Sequence, residues 1–201
     1  MTETEINIPI TENKIRICLN AKDKEHLLKW KREIGWKGKD YYKESSNSIE
    51  VYFRSLKMKN DLERYYVTER KSFTTDFPDI LPCVKAHFIR GVFDADGCIT
   101  RAKRVNQKKS GRVYVAHGGE FSIEGSHNLI KKIQEEFIGI GLSKNSINYS
   151  GKKIFRVRYG GINQLRKIYC YLYDDSSVFL ERKKSLFEDI LNNYSFQLVN
   201  S

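Results

Sequence analysis

Two aspartates separated by one alanine and closed by a glycine, Asp94-Ala95-Asp96-Gly97, form the most chemically suggestive cluster in the chain. They follow an apolar, helix-compatible run that starts at Pro82 and passes through Val84, Phe88, Ile89, Val92 and Phe93. A helix that ends in acid is electrostatically reversed, because its C-terminal end already carries partial negative charge. A positive group is therefore expected there. Carboxylates and end-of-helix carbonyls are hard oxygen ligands of the kind Mg²⁺ prefers, so a divalent cation is one candidate. A plain helix stop followed by an Asp-Gly turn is the other.

The elements needed to hold such a helix end can be read in order. Ile6, Ile8 and Ile10 alternate, as do Ile15, Ile17 and Leu19 after a polar turn, which predicts a β-hairpin. Asp23 is placed to cap a helix whose apolar face is Leu27, Trp30 and Ile34, with Gly35 at its end. Ile49, Val51 and Phe53 then alternate as a strand, and a second helix is expected over about 58–66. After Gly97 the order recurs. Phe121 and Ile123 read as a strand, Ser126 as a cap, and Ile130, Ile133 and Phe137 as a helix face displaced by 103 residues from Leu27, Trp30 and Ile34. A further strand is expected over 154–159 and a helix through Leu165, Ile168, Tyr169 and Leu172, with Leu165 lying 103 residues after Leu62. Arg182-Lys183 then matches Arg70-Lys71. Self-similarity at a fixed period marks a duplicated architecture.

Length and composition bound the partners. At 201 residues and 40% hydrophobic content the chain can build one large domain or two small ones. Its net charge of +11 makes nucleic acid the default partner. No apolar run approaches the roughly 20 residues that span a bilayer, and the first 13 residues are unlike a signal peptide, so an intracellular, soluble protein is expected. Cys18, Cys83, Cys98 and Cys170 are widely spaced, which predicts small buried apolar residues rather than a metal knuckle or a disulfide framework. Tyr41, Tyr42, Tyr65 and Tyr66 are likewise expected in a core.

The string Ile89-Arg90-Gly91-Val92-Phe93-Asp94-Ala95-Asp96-Gly97 resembles the LAGLIDADG motif of homing endonucleases, with Lys71-Ser72-Phe73, Phe77-Pro78 and His87-Phe88 similar to its bacterial, phage and intein-type branch. The resemblance implies an α+β fold of two pseudo-symmetric αββαββα halves with curved antiparallel sheets that straddle DNA. Their boundaries here would be 1–78 and 79–201. It also implies site-specific, Mg²⁺-dependent hydrolysis of DNA at a long target, of the kind encoded by mobile introns. Asp96 and the Ala95 carbonyl match the metal ligands, and Lys71 and Lys183 match the basic residues near the scissile phosphates. Asp94 is expected to be a helix-end group. Gly91, Phe88 and Val92 fall on the face where two such helices pack together.

The basic stretch Arg101, Lys103, Arg104, Lys108, Lys109 and Arg112, with Asn106 and Gln107 inside it, is the expected DNA surface of the second half, together with Arg156 and Arg158. Lys14, Arg16, Tyr52 and Arg54 correspond in the first. One departure stands out: the first copy is expected to lack its DADG helix, because the strand over 15–19 lies too near Met1. Cleavage would then be impaired or need a second chain or fragment that supplies the helix. The alternative is a cleavage-deficient DNA-binding protein that acts as a regulator or RNA-splicing cofactor. A protein-splicing role is disfavoured, since the sequence neither opens on Cys or Ser nor closes on His-Asn.

Overall fold

The computed structural model describes residues 5–7, 14–67, 75–107, 113–151 and 153–199. Its first part comprises β1 (Glu5–Asn7), β2 (Lys14–Asn20), α1 (Lys24–Glu33), β3 (Tyr41–Lys43), β4 (Ser48–Arg54) and α2 (Leu56–Arg64). The second comprises α3 (Lys85–Asp96), β5 (Gly97–Gln107), β6 (Val113–Gly125), α4 (His127–Gly139), β7 (Asn148–Gly151), β8 (Ile154–Gly160), α5 (Ile162–Tyr173), α6 (Glu181–Asn192) and β9 (Ser195–Val199). The strands form two antiparallel sheets with the same path, β1-β2-β4-β3 and β5-β6-β8-β7, and β9 adds to β6. The second part thus carries the expected αββαββα order, extended by α6 and β9. The first shows ββαββα among its described residues.

Alternation explains the sheets. β2 buries Ile15, Ile17 and Leu19, and β4 lies antiparallel to it with Leu19 opposite Ile49 and Lys14 opposite Arg54. Ile49, Val51 and Phe53 are buried as well, so one face of the sheet carries the core and the other carries the intervening polar residues. Leu27 and Trp30 of α1 pack on the apolar face. In the second part Phe121 of β6 is the hub. Its ring stacks on Phe93 of α3 at 4.7 Å and meets Phe137 of α4, Tyr159 of β8 and Phe187 of α6. Helices α3 to α6 therefore share one layer on one face of the second sheet.

The repeat is real, but its period drifts. α1 and α4 begin 103 residues apart (127 − 24), whereas β4 and β8, seven residues each, begin 106 apart (154 − 48). The three extra residues lie in α4, which has 13 residues against 10 in α1. The counterpart of Leu62 is consequently the buried Ile168, and the 103-residue match of Leu62 to Leu165 is coincidental. Gly35, at φ 67°, ends the chain's turn after α1, and Ile34 is left exposed where Phe137 is buried.

Other expectations are corrected by the packing. Asp23 precedes α1 but makes no capping bond; its carboxylate instead accepts from Arg182 Nε at 3.0 and 3.2 Å. Ser126 does cap α4, accepting from the Leu129 amide. Tyr41, Tyr42, Tyr65 and Tyr66 are exposed, because they fall on an edge strand and just beyond the end of α2. Cys83, Cys98 and Cys170 are exposed too, each lying on a turn, a polar strand face or the outer side of a helix.

Candidate active site

Helix α3 presents three different faces. Ile89 and Phe93 are fully buried in the second core. Arg90 and Asp94, one turn apart, form a buried polar face. Phe88, Gly91, Val92 and Ala95 line a groove of about 510 Å³ whose opposite wall is Ile17, Leu19, Leu27 and Trp30 of the first part. A Cβ placed on Gly91 would meet nothing within 4 Å.

The positive group expected at the acidic end of this helix is a side chain. Lys183 Nζ, on α6, donates to the carbonyl oxygens of Phe93 at 2.6 Å, Asp94 at 2.9 Å and Gly97 at 2.6 Å. An ammonium has three donors, and all three are used. Burial pulls this ammonium down to about 8 against the attraction of Asp94. Asp94 Oδ2 accepts from the Leu180 amide at 3.0 Å, at the start of α6, while Oδ1 is buried with no hydrogen-bond partner among the described residues. Burial pushes its carboxyl up to about 6, although the Leu180 amide and the charges of Lys183 and Arg90 oppose the shift. Arg90 reaches away from the acid to the carbonyls of Val178 and Leu172, both at 2.9 Å. In this way the ends of α3, α5 and α6 satisfy one another's backbone groups, which helix termini otherwise leave unpaired.

Beyond this buried knot, Asp96 is exposed and Ala95 half-exposed. No group of three or more His, Cys, Asp or Glu side chains is arranged to hold a metal among the described residues. One carboxylate and one neighbouring carbonyl still suit Mg²⁺, which keeps several waters and takes its remaining ligands from substrate phosphates. The residues present therefore fit such an ion when a phosphate shares it. Lys71 lies outside the described residues.

The candidate DNA-contacting residues separate by face. Lys14, Arg16, Tyr52 and Arg54 share the polar face of the first sheet, with Lys14 opposite Arg54 and Arg16 opposite Tyr52. Lys14 Nζ sits 4.3 Å from the Tyr52 ring centre, and Tyr41 stacks on Tyr52 at 4.6 Å. Arg16 and Lys43 both pair with Glu50, which is 2% exposed. Burial alone would raise the Glu50 carboxyl, but these two cations outweigh it and hold it below the usual range. Arg156 and Arg158 flank the buried Val157 and so occupy the polar face of the second sheet, paired with Glu124 and Glu120. Arg101 and Lys103 lie on the other side. Arg101 pairs with Asp189 of α6 at 2.7 Å, and Lys103 lines the same helix-side depression. Arg104, Asn106 and Gln107 belong to the backbone of β5, and Lys108, Lys109 and Arg112 fall outside the described residues.

Sequence reading missed Arg90, Glu50, Glu120, Glu124 and the Leu180 amide. Arg90 had a signal, four residues before Asp94 and next to the apolar Ile89. The glutamates had none, because their partners follow from strand register alone.

Two pseudo-equivalent α+β units with a shared acidic helix end define a recognisable architecture. No protein-family model and no curated protein matches the sequence. Solved structures do match in shape. The I-LtrWI LAGLIDADG homing endonuclease bound to target DNA superposes with a TM-score of 0.56 at 12% identity, over 89% of this chain and 78% of that one. The meganuclease I-SmaMI bound to uncleaveable DNA gives 0.58 at 11%, over 89% and 78%. The LAGLIDADG meganuclease I-CpaMI bound to uncleaved DNA gives 0.56 at 14%, over 94% and 87%. The fold of this chain is that of the LAGLIDADG homing endonucleases.

Proposed function

We propose that this protein is a site-specific DNA endonuclease of the homing type. The observation that carries the reading is the last turn of α3, where Ala95 and Asp96 line the groove beside two like-built sheets that bear cations on their helix-free faces. Asp96 and Ala95 would hold a divalent cation together with a DNA phosphate. When bound, that ion supplies Lewis-acid charge to the phosphate oxygens and a more acidic water. The chain's own residues do the rest. Lys14, Arg16, Arg54, Arg156 and Arg158 contact DNA, with the first three and Tyr52 placed for one half-site and the last two for the other. The units divide at about 78/79, and the protein acts where intracellular DNA is accessible.

The groove along Phe88, Gly91 and Val92 supports a further partner, a helix from a second chain or separate fragment that completes the interface. DNA binding without cleavage is the competing reading, favoured by Asp96 being the one exposed carboxylate of this helix end. The deciding experiment is cleavage of plasmid DNA carrying the insertion locus, with Mg²⁺ or EDTA, by wild type and Asp96→Asn. Cleavage that requires metal and falls at least 100-fold in the variant, with DNA affinity unchanged, is the expected result. Absence of nicking under every divalent metal would overturn the nuclease reading.

A further inference from the structure

Lys183 reaches the helix end from α6, and its buried ammonium points inward onto backbone carbonyls. We propose that Lys183 is a positioning residue that holds the last turn of α3, so that the Ala95 carbonyl and the Asp96 carboxylate face one point, and that it does not touch DNA. For cleavage this rests on the nuclease reading above; for the geometry of the turn it does not.

The three carbonyls that receive Lys183 belong to residues 93, 94 and 97, and so they bracket residues 95 and 96 on both sides. Fixing the peptide planes before and after a two-residue span leaves that span few orientations. The grip is doubled, because the Leu180 amide, three residues before Lys183, holds the Asp94 carboxylate. It is also tight. A Cβ on Gly97 would lie 2.7 Å from the Phe93 oxygen and 2.8 Å from its Cα, so only glycine lets the turn close onto the ammonium. Moving Lys183 to a phosphate would take a charged donor from three carbonyls, of which the Phe93 oxygen would keep the Gly97 amide.

The chemistry of the donor distinguishes the two roles. A guanidinium is an excellent phosphate ligand, but its planar fork cannot replace a compact ammonium at three converging oxygens. The test therefore compares Lys183→Met and Lys183→Arg by three measurements: amide hydrogen exchange over residues 93–97 without DNA, the salt dependence of DNA binding in EDTA, and the Mg²⁺ concentration for half-maximal cleavage. Both variants are expected to exchange at least tenfold faster over 93–97, to keep the wild-type salt slope, and to need at least tenfold more Mg²⁺. Wild-type cleavage by Lys183→Arg, or a salt slope about one unit shallower in Lys183→Met, as loss of a phosphate contact demands, would overturn the proposal. If Lys183→Met does not fold, Lys183→Gln keeps most of the stem and an amide with two donors, and wild-type exchange rates in that variant would equally overturn it. Failure of wild type to cleave DNA would sink the nuclease reading alone, since exchange and salt slope still decide the role of Lys183.

Discussion

Asp94 is a carboxyl group held out of water with one oxygen bonded and the other unmet among the described residues. Its pKa of about 6, raised from 3.8 mainly by burial, makes it a charge that folding must strip of solvent. The sign follows from proton binding. Between about pH 4 and 6 the folded chain holds this proton and the unfolded chain does not, so the stability it lends at low pH is lost as pH rises through 6. A shift of that size corresponds to roughly 3 kcal/mol. Urea titrations of wild type and Asp94→Asn across pH 4 to 7 should therefore diverge, with wild type losing up to that amount relative to the variant; parallel curves would contradict it. Lys183 has the opposite proton behaviour: its folded pKa is depressed to about 8, so its contribution to stability rises as pH climbs from about 8 toward the unfolded value. The Asp-Ala-Asp-Gly string was legible in the sequence because residue type and order carry it. What it binds was legible only in part, since a cation 87 positions away (183 − 96) meets that helix end only through the fold.

At the scale of elements, α3 separates two glycines that look alike in the sequence. Gly97 is packed against Phe93 and Gly91 faces open space. Gly97→Ala is expected to destabilise the protein measurably, by displacing the backbone at the turn. Gly91→Ala should instead raise thermal stability by up to about 1 kcal/mol, because alanine is the better helix former and nothing obstructs it. Differential scanning calorimetry of both variants checks the pair. Were a helix docked along Phe88 and Val92 in the sample, Gly91→Ala would lose its benefit. Phe121 offers a third measurement. Its ring touches four other aromatics, and Phe121→Ala should cost about 3–5 kcal/mol in chemical denaturation. The strands and helices were readable because burial on one face leaves a period of two or 3.6 residues. The edge strands β3 and β7 were not, because three or four exposed residues leave no period, and β9 was hidden in a terminal segment whose pairing with β6 is long-range.

For the whole molecule, the charge of +11 is divided unevenly. On the sheets Arg16 and Lys43 pair with Glu50 in the first part, and Arg156 and Arg158 pair with Glu124 and Glu120 in the second. DNA binding should be strongly salt-dependent, yet with fewer phosphate contacts than the 36 Lys and Arg residues suggest, since several are held in ion pairs. Charge removal tests this by face. Arg54→Ala should reduce the slope of log affinity against log salt by about one, and Arg101→Ala, on the helix side with Asp189, should leave it unchanged. Filter binding at several salt concentrations distinguishes them. The doubled architecture was visible as a 103-residue echo. Its drift to 106 was not, because the extra turn in α4 preserves the hydrophobic pattern on either side of it.

The junction of the two parts runs through four consecutive residues. The Leu180 amide holds Asp94, Glu181 pairs with Lys29 at 3.0 Å, Arg182 holds Asp23, and Lys183 holds the end of α3. Two of these contacts reach the first part and two reach the DADG turn. A single codon inserted here would rotate the residues after it by about 100° and break the register of both grips at once. Twelve nucleotides thus tie the placement of one sheet to the aim of the acid that serves the other, and this stretch should be far less tolerant of insertion than any loop nearby.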